Sequence, residues 1–281
     1  MPDLSELERQ HWPGGVLNTG LDLGLPRQVR FLEEAVAKYR REWTFPDEKT
    51  AERWYHYNNG FFETVDAEMA YCVVRKFKPS RIIEVGGGYS SCLLAEALRA
   101  NLERDGIHGE IITIDPSLDP SRVPISNSIK VIQRPVQDIN LKLFSSLREG
   151  DILFLDSSHV VSVGSDVVYE YLEIIPHLQK GVVIHAHDIF LPFDYPRELV
   201  SNLSFWSEQY LLLAFLKFNS FFEVLWSSSG MQAFHADVLD RAFPHWKGSY
   251  RKLAKGSRRF VPTLDGERIW PSSFWMRRIS G

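Results

Sequence analysis

Arg81-Ile82-Ile83-Glu84-Val85-Gly86-Gly87-Gly88-Tyr89-Ser90-Ser91 is the unit around which the rest of the chain is organised. A β-branched run ends in an acid, three glycines follow, and an amphipathic helix pattern starts at once, over Ser91 to Leu98. The order is strand, tight turn, helix N-terminus. Glycine lets the backbone turn sharply and lets a ligand approach the main chain. The free N–H groups of a helix start favour an anionic group beside them. Glu84, at the strand's end, is placed to accept hydrogen bonds from a cationic or hydroxyl-bearing part of the same ligand.

The spacing is not that of the G-x-x-x-x-G-K-[ST] phosphate loop, because no Lys follows the glycines. It also departs from G-x-G-x-x-G, because Ser91 stands where the last glycine or alanine belongs. Glu84-Val85-Gly86-Gly87-Gly88-Tyr89-Ser90-Ser91 resembles the first motif of class I S-adenosylmethionine (SAM) methyltransferases. The other reading is an ordinary βα turn with no ligand.

Outward from this unit the chain alternates short buried strands with helical segments. Gly109 to Asp115 reads as a second strand ending in an acid, Ser128 to Gln133 as a third, Asp151 to Asp156 as a fourth. Gly181 to Ile184 opens a fifth that runs into His185-Ala186-His187-Asp188, and Phe222 to Trp226 is a sixth. Helical spacing covers Thr64 to Phe77, Val167 to Ile175, Trp206 to Lys217 and Val238 to Trp246. Such alternation predicts a parallel α/β sheet, here a Rossmann-like, seven-stranded, doubly wound one. Ser273 to Ile279 is the expected antiparallel seventh strand, with Met231 to His235 as its rival in a direct hairpin. Residues 1–77 read as a loose leader (1–25) and a helical cap that includes Pro26 to Trp43. Residues 78–281 read as the cofactor domain, with a basic insertion at about 236–271.

The totals set limits. The chain has 281 residues, a net charge of −4 and an ordinary globular balance, 44% hydrophobic and 24% charged. That balance argues against a general nucleic-acid binder. The two cysteines, Cys72 and Cys92, give neither a disulfide framework nor a zinc spacing. They lie in apolar helical patterns, which fits buried thiols and a cytoplasmic location. Met1 to Gln10 lacks the apolar run of a signal peptide, and Tyr210 to Phe222 is too short and interrupted to span a bilayer. Arg241, Lys247, Arg251, Lys252, Lys255, Arg258, Arg259, Arg268, Arg277 and Arg278 face few acids. They read as a solvated surface, an oligomer contact or a meeting place for an acidic substrate.

Ligands of open α/β sheets bind beyond the carboxyl ends of the strands. Glu84, Asp115, Asp156 and His187-Asp188 all fall at such ends. An acid at the tip of the second strand suits a ribose diol, and Gln137-Asp138 follows the third strand where an adenine edge is read. Asp156-Ser157-Ser158-His159 and His187-Asp188 end adjacent strands, roughly 5 Å apart, so their side chains converge. Two acids and imidazole make a divalent-metal site, and His159 stands where it takes a proton from a hydroxyl.

This second constellation resembles the metal-dependent class I O-methyltransferases. In their catechol type an Asp ends the fourth strand, a Lys base comes three residues later, and an Asp-Asn pair ends the fifth. In their macrolide-sugar type the base is His and the pair is Glu-Asp. The resemblance implies Asp156 and Asp188 as metal ligands and His159 as base. His187 falls where those families carry an acid. An imidazole there moves the preference from Mg toward Mn, Fe or Zn, or makes His187 itself a base or a substrate contact. Lys78-Pro79-Ser80-Arg81, Asp156-Ser157-Ser158-His159-Val160, the run from His185 to Pro196 and Trp206-Ser207-Glu208-Gln209-Tyr210 further resemble a bacterial methyltransferase group found with glycan or natural-product pathways.

The expectation is therefore a SAM-dependent O-methyltransferase acting on a hydroxyl of a sugar or natural-product-like small molecule, with a homodimer as its assembly. Glu84, Gly86, Gly87, Gly88, Tyr89 and Ser90 would hold the methionine end, Asp115 the ribose, and Gln137 and Asp138 the adenine. Asp156, His187 and Asp188 would hold a divalent metal, and His159 and His187 are the catalytic candidates. His185, two residues before His187, is either a third imidazole ligand or a satisfied core histidine. Tyr89 either lines the methionine pocket or packs on its helix. Phe190, Phe193, Tyr195 and Trp206 would overhang the transfer site. Three rival functions stay open: a metal-independent transferase with His159 or His187 as base, a SAM-binding module without catalysis, and a nicotinamide oxidoreductase.

Overall fold

The computed structural model describes residues 20–119, 129–196, 203–243 and 271–280, and the single positions 6, 123, 199 and 246. Most of the expected leader, most of the basic insertion and Ser128 of the third strand lie outside the described residues. So do the insertion's Lys247, Arg251, Lys252, Lys255, Arg258, Arg259 and Arg268.

Seven strands form one sheet: β1 Arg81–Val85, β2 Glu110–Ile114, β3 Ile129–Ile132, β4 Ile152–Leu155, β5 Val183–Ala186, β6 Phe222–Ser227 and β7 Phe274–Arg278. Their order is β3-β2-β1-β4-β5-β7-β6. β7 runs antiparallel between β5 and β6, and the other described ladders are parallel. The chain winds outward one way from β1 and the other way from β4. Their carboxyl ends are the topological switch point where such sheets take ligands.

The helices are α1 Leu25–Tyr39, α2 Asp66–Phe77, α3 Tyr89–Asp105, α4 Leu141–Phe144, α5 Asp166–Tyr169, α6 Glu208–Lys217 and α7 Ser228–Ala242. Alternate residues of each strand feed opposite faces. Ile82, Ile111, Ile152, Phe154 and Val183 pack with α1, α2, α3 and α7. Ile83, Ile112, Leu153, Leu155 and Ile184 pack with α4 to α6. α2 is buried almost all round and runs along α3. The helix after α5 loosens into a π turn, Glu170–Ile174, and a 3-10 turn, Ile175–His177, that accommodates Pro176.

Two sequence expectations are corrected here. Met231 to His235 is helical, not a hairpin strand. The helix expected over Val238 to Trp246 instead starts ten residues earlier, at Ser228. The cause is local: Ser227 caps the helix, its Oγ accepting from the Gly230 N–H at 3.0 Å. That stops β6 and starts α7 with no loop between. A non-helical residue, His235, kinks α7 midway and broke the periodicity that would have revealed its first half.

Candidate active site at the carboxyl ends of β1, β4 and β5

The glycine turn does two jobs. Gly86 has φ +79°, and a Cβ built on it would lie 1.8 Å from the carbonyl oxygen of Asp156. Only glycine lets the β1 and β4 ends come this close. A Cβ on Gly87 would meet Thr113 and Leu118. A Cβ on Gly88 would meet nothing within 4 Å, so the turn leaves open space at the start of α3. Glu84 supports the turn from behind. It is fully buried, and its carboxyl accepts from Ser90 Oγ (2.8 Å), Ser91 Oγ (2.5 Å) and Thr113 Oγ1 (2.6 Å). Burial pushes it up to about 7, with the hydroxyl hydrogen bonds working against that shift.

A cavity of about 360 Å³ opens beside this turn. It is lined by the ends of β1 and β2 (Val85, Gly86, Ile114, Asp115), by Pro135, Val136 and Gln137, and by Asp156, Ser157 and Asp166. Asp115 is preorganised. One carboxylate oxygen accepts from the backbone of Ser117 (2.7 Å) and Leu118 (3.0 Å), the other from the N–H of Gly87 (3.1 Å). Gln137 lines the cavity, whereas Asp138 lies 3.6 Å from Arg134 and is not among the lining residues. Ser90 turns inward to Glu84. Tyr89 packs beside His56 and Phe61, with ring centroids 5.2 and 6.1 Å away.

Asp156, in the cavity wall, also belongs to a cluster of acids and imidazoles. His159 Nε2 is 3.5 Å from both Asp156 Oδ1 and Asp188 Oδ2. His187 Nδ1 is 3.5 Å from Asp156 Oδ1 and 3.7 Å from Asp188 Oδ1. Among the described residues, Asp156, His159 and Asp188 form the group whose donor atoms all lie within 4.8 Å of one another. Burial opposes charge on either imidazole, yet both are held well above the ordinary histidine range. Hydrogen bonds to Asp156 and Glu208 do this for His159, and the charges of Asp188 and Asp156 do it for His187. Burial alone would raise Asp156; His187 and His159 outweigh it and hold the carboxyl well below the usual range. His159 and Asp188 both take positive φ, +62° and +55°, a conformation uncommon outside glycine and concentrated at functional sites.

Two residues of this site were not singled out as site residues in the sequence, although Glu208 lies in the Trp206 to Tyr210 stretch that carried the resemblance. Asp66, in the first turn of α2, is buried. Its carboxylate accepts from Ser228 Oγ (2.6 Å) and from the backbone N–H groups of Ser272 (2.8 Å) and Ser273 (3.0 Å), and lies 3.7 Å from His187 Nε2. Glu208, at the first turn of α6, reaches His159 Nδ1 at 2.9 Å. An acid in a helix's first turn is commonplace, so neither stood out. His185 lies in the core layer. Its Nε2 is 2.9 Å from Ser273 Oγ and its ring stacks on Phe154, centroids 3.8 Å apart. Burial and the neighbouring His187 push it well below the usual histidine range.

Residues 83–189 match the family model described as a methyltransferase domain. With the strand order and the glycine turn at the switch point, residues 83–189 are similar to a methyltransferase domain. An uncharacterized protein of Archaeoglobus fulgidus is 32% identical over 136 residues, which are 47% of this chain and 61% of that one. The chain thus spans about three fifths of the length of the curated relative it matches. Among solved structures, SAH-bound methyltransferase PaMTH1 of Podospora anserina is 14% identical over 98% of this chain and 93% of its own, with a TM-score of 0.37. The MycE methyltransferase of the mycinamycin biosynthetic pathway, in complex with Mg and SAH, is 13% identical over 83% and 54%, with a TM-score of 0.40. Scores at this level define no shared detail of a site.

Proposed function

We propose that the protein transfers the methyl group of SAM to a hydroxyl oxygen of a small-molecule acceptor, a sugar or natural-product-like compound. The observation that carries this reading is one continuous cavity from Asp115 and Gln137 to Asp156. The residues fit the donor: an acceptor carboxylate at Asp115 suits a ribose diol, and the open space before Gly88 suits the methionine end. SAM supplies an electrophilic methyl on a sulfonium. The chain's task is to hold the acceptor oxygen in line and remove its proton. His159 Nε2 would take the hydroxyl proton as the acceptor oxygen receives the methyl that bound SAM would supply.

The cluster also fits a divalent cation. Asp156 and Asp188 would hold it with an imidazole from His187 or His159, a donor set that favours Mn, Fe or Zn over Mg. A cation there would acidify and orient the acceptor hydroxyl. One feature favours the metal-independent reading: each carboxylate already has an imidazole nitrogen 3.5 Å away within the chain. Calorimetry with SAM and its thioether product tests the cofactor, and absence of heat with both would remove the proposal. Mass spectrometry of reactions with sugar and polyketide hydroxyls tests the transfer. Chelation followed by return of Mn, Fe, Zn or Mg separates the two readings, since turnover unchanged by chelation leaves only the metal-independent one.

A further inference from the structure

We infer that Glu208 is the positioning residue that fixes the tautomer of His159, so that Nε2 is the nitrogen presented to the reacting groups. The role of Nε2 as proton acceptor rests on the proposed methyl transfer; the tautomer itself does not.

One short segment grips His159 from three sides. The backbone N–H groups of Ser207 and Glu208 both donate to the His159 carbonyl, at 2.8 and 3.1 Å. The Trp206 ring lies against the imidazole, centroids 4.5 Å apart at 52°. Ser207 Oγ accepts from the Val161 N–H at 2.8 Å, pinning the chain just beyond. These contacts hold a backbone that sits at φ +62°. The third grip is the Glu208 side chain, 2% exposed, with Oε2 2.9 Å from His159 Nδ1.

The direction of that last bond follows from the partners of Glu208. Its other oxygen, Oε1, accepts from Tyr171 Oη at 2.9 Å. Tyr171 is buried, and burial together with the Glu208 charge keeps its phenol protonated. Burial and the same charge also push Glu170 well above the carboxylate range. With Oε1 taken by the Tyr171 hydroxyl, Oε2 faces Nδ1, and a carboxylate only accepts. Nδ1 must carry the hydrogen. Nε2, 3.5 Å from both Asp156 and Asp188, is then the nitrogen at which a proton is gained or lost. His187 lacks such a device: its nitrogens stand 3.5 to 3.7 Å from their acidic neighbours, with no short bond to decide between them. The same geometry serves a proton acceptor or a metal-facing imidazole, where a buried carboxylate on the second nitrogen is what orients the first.

The test is long-range proton–nitrogen NMR of the full chain labelled with 15N-histidine, under chelator, with the His159 signals identified by their loss in His159→Asn. Wild type is expected to show the hydrogen on Nδ1. Glu208→Gln, whose amide offers a donor where the carboxylate only accepts, is expected to move it off Nδ1 in part or whole. The same variant is expected to lose about 10- to 100-fold in kcat with KM for SAM unchanged. Should the Gln variant not fold, Glu208→Asp withdraws the carboxylate by one methylene and is expected to move the same signals. A wild-type His159 with its hydrogen on Nε2, or protonated on both nitrogens throughout, overturns the inference. So does a variant that keeps the Nδ1 hydrogen, whatever its rate. Because the tautomer is read without turnover, an inactive protein would count against the proposed reaction and leave this result standing.

Discussion

Gly86 and Gly88 lie two residues apart and do opposite work. Replacing Gly86 with Ala forces a methyl against the Asp156 carbonyl at positive φ. This is expected to cost more than about 3 kcal/mol, seen as a large fall in denaturant midpoint. Gly88→Ala meets no neighbour. It should leave the midpoint nearly unchanged while weakening SAM binding in calorimetry, because the methyl fills the space kept for the donor. His159→Ala separates binding from chemistry in the same way. The cavity walls at Asp115 and Gln137 stay intact, so SAM affinity should hold while kcat falls about 10²- to 10⁴-fold. Asp115, Asp156, His159 and Asp188 were legible because each follows a strand end that hydropathy alone locates. Glu84 was legible as part of the glycine-turn unit but not in its orientation. Its three hydroxyl partners come from the turn, α3 and β2, and only the folded register shows that it buttresses the loop from inside.

Between elements, the decisive contact is Asp66. It lies at the start of α2, yet three of its contacts are to Ser228, Ser272 and Ser273, on the far side of the chain. Ser272 in turn donates to Asp188 Oδ1 at 3.0 Å, and Ser273 meets His185. Asp66→Ala would strip a buried acceptor from three donors and is expected to destabilise by about 3 kcal/mol. It should also lower turnover through the loss of His187 and Asp188 alignment. A variant with wild-type stability and rate would show that the serines are held without it. No periodicity predicts such a link, because it depends on β7 entering between β5 and β6. The antiparallel placement of residues 273–279 was readable, whereas the α7 start was not: β6 passes into the helix at a serine cap without a turn signal.

For the molecule as a whole, buried carboxyls set a pH dependence. Burial pushes Glu84 and Glu68 up to about 7 from 4.5. A group whose folded pKa is raised contributes stability that is complete below its unfolded pKa and is lost as pH climbs through the folded one. The unfolding free energy should therefore decline between about pH 4.5 and 7, by roughly 3 kcal/mol for each group. Glu84→Gln should flatten that slope in denaturation measured across the range; an unchanged slope would place the titration elsewhere. The sheet's order and both helical faces follow from alternating strands and helices. No helix among the described residues is long and apolar enough to cross a membrane.

β7 has a consequence for the order of synthesis. β5, which delivers His187 and Asp188, gains its second neighbour only when residues 274–278 arrive, and Ser272 and Ser273 reach Asp66, His185 and Asp188 at the same moment. A chain that stops before residue 271 carries every acid and imidazole of the cluster but lacks the β7 pairing of β5 and the Ser272 and Ser273 donors. Until β7 is paired, the acids and imidazoles at the end of β5 lack the serine contacts that tie them to Asp66.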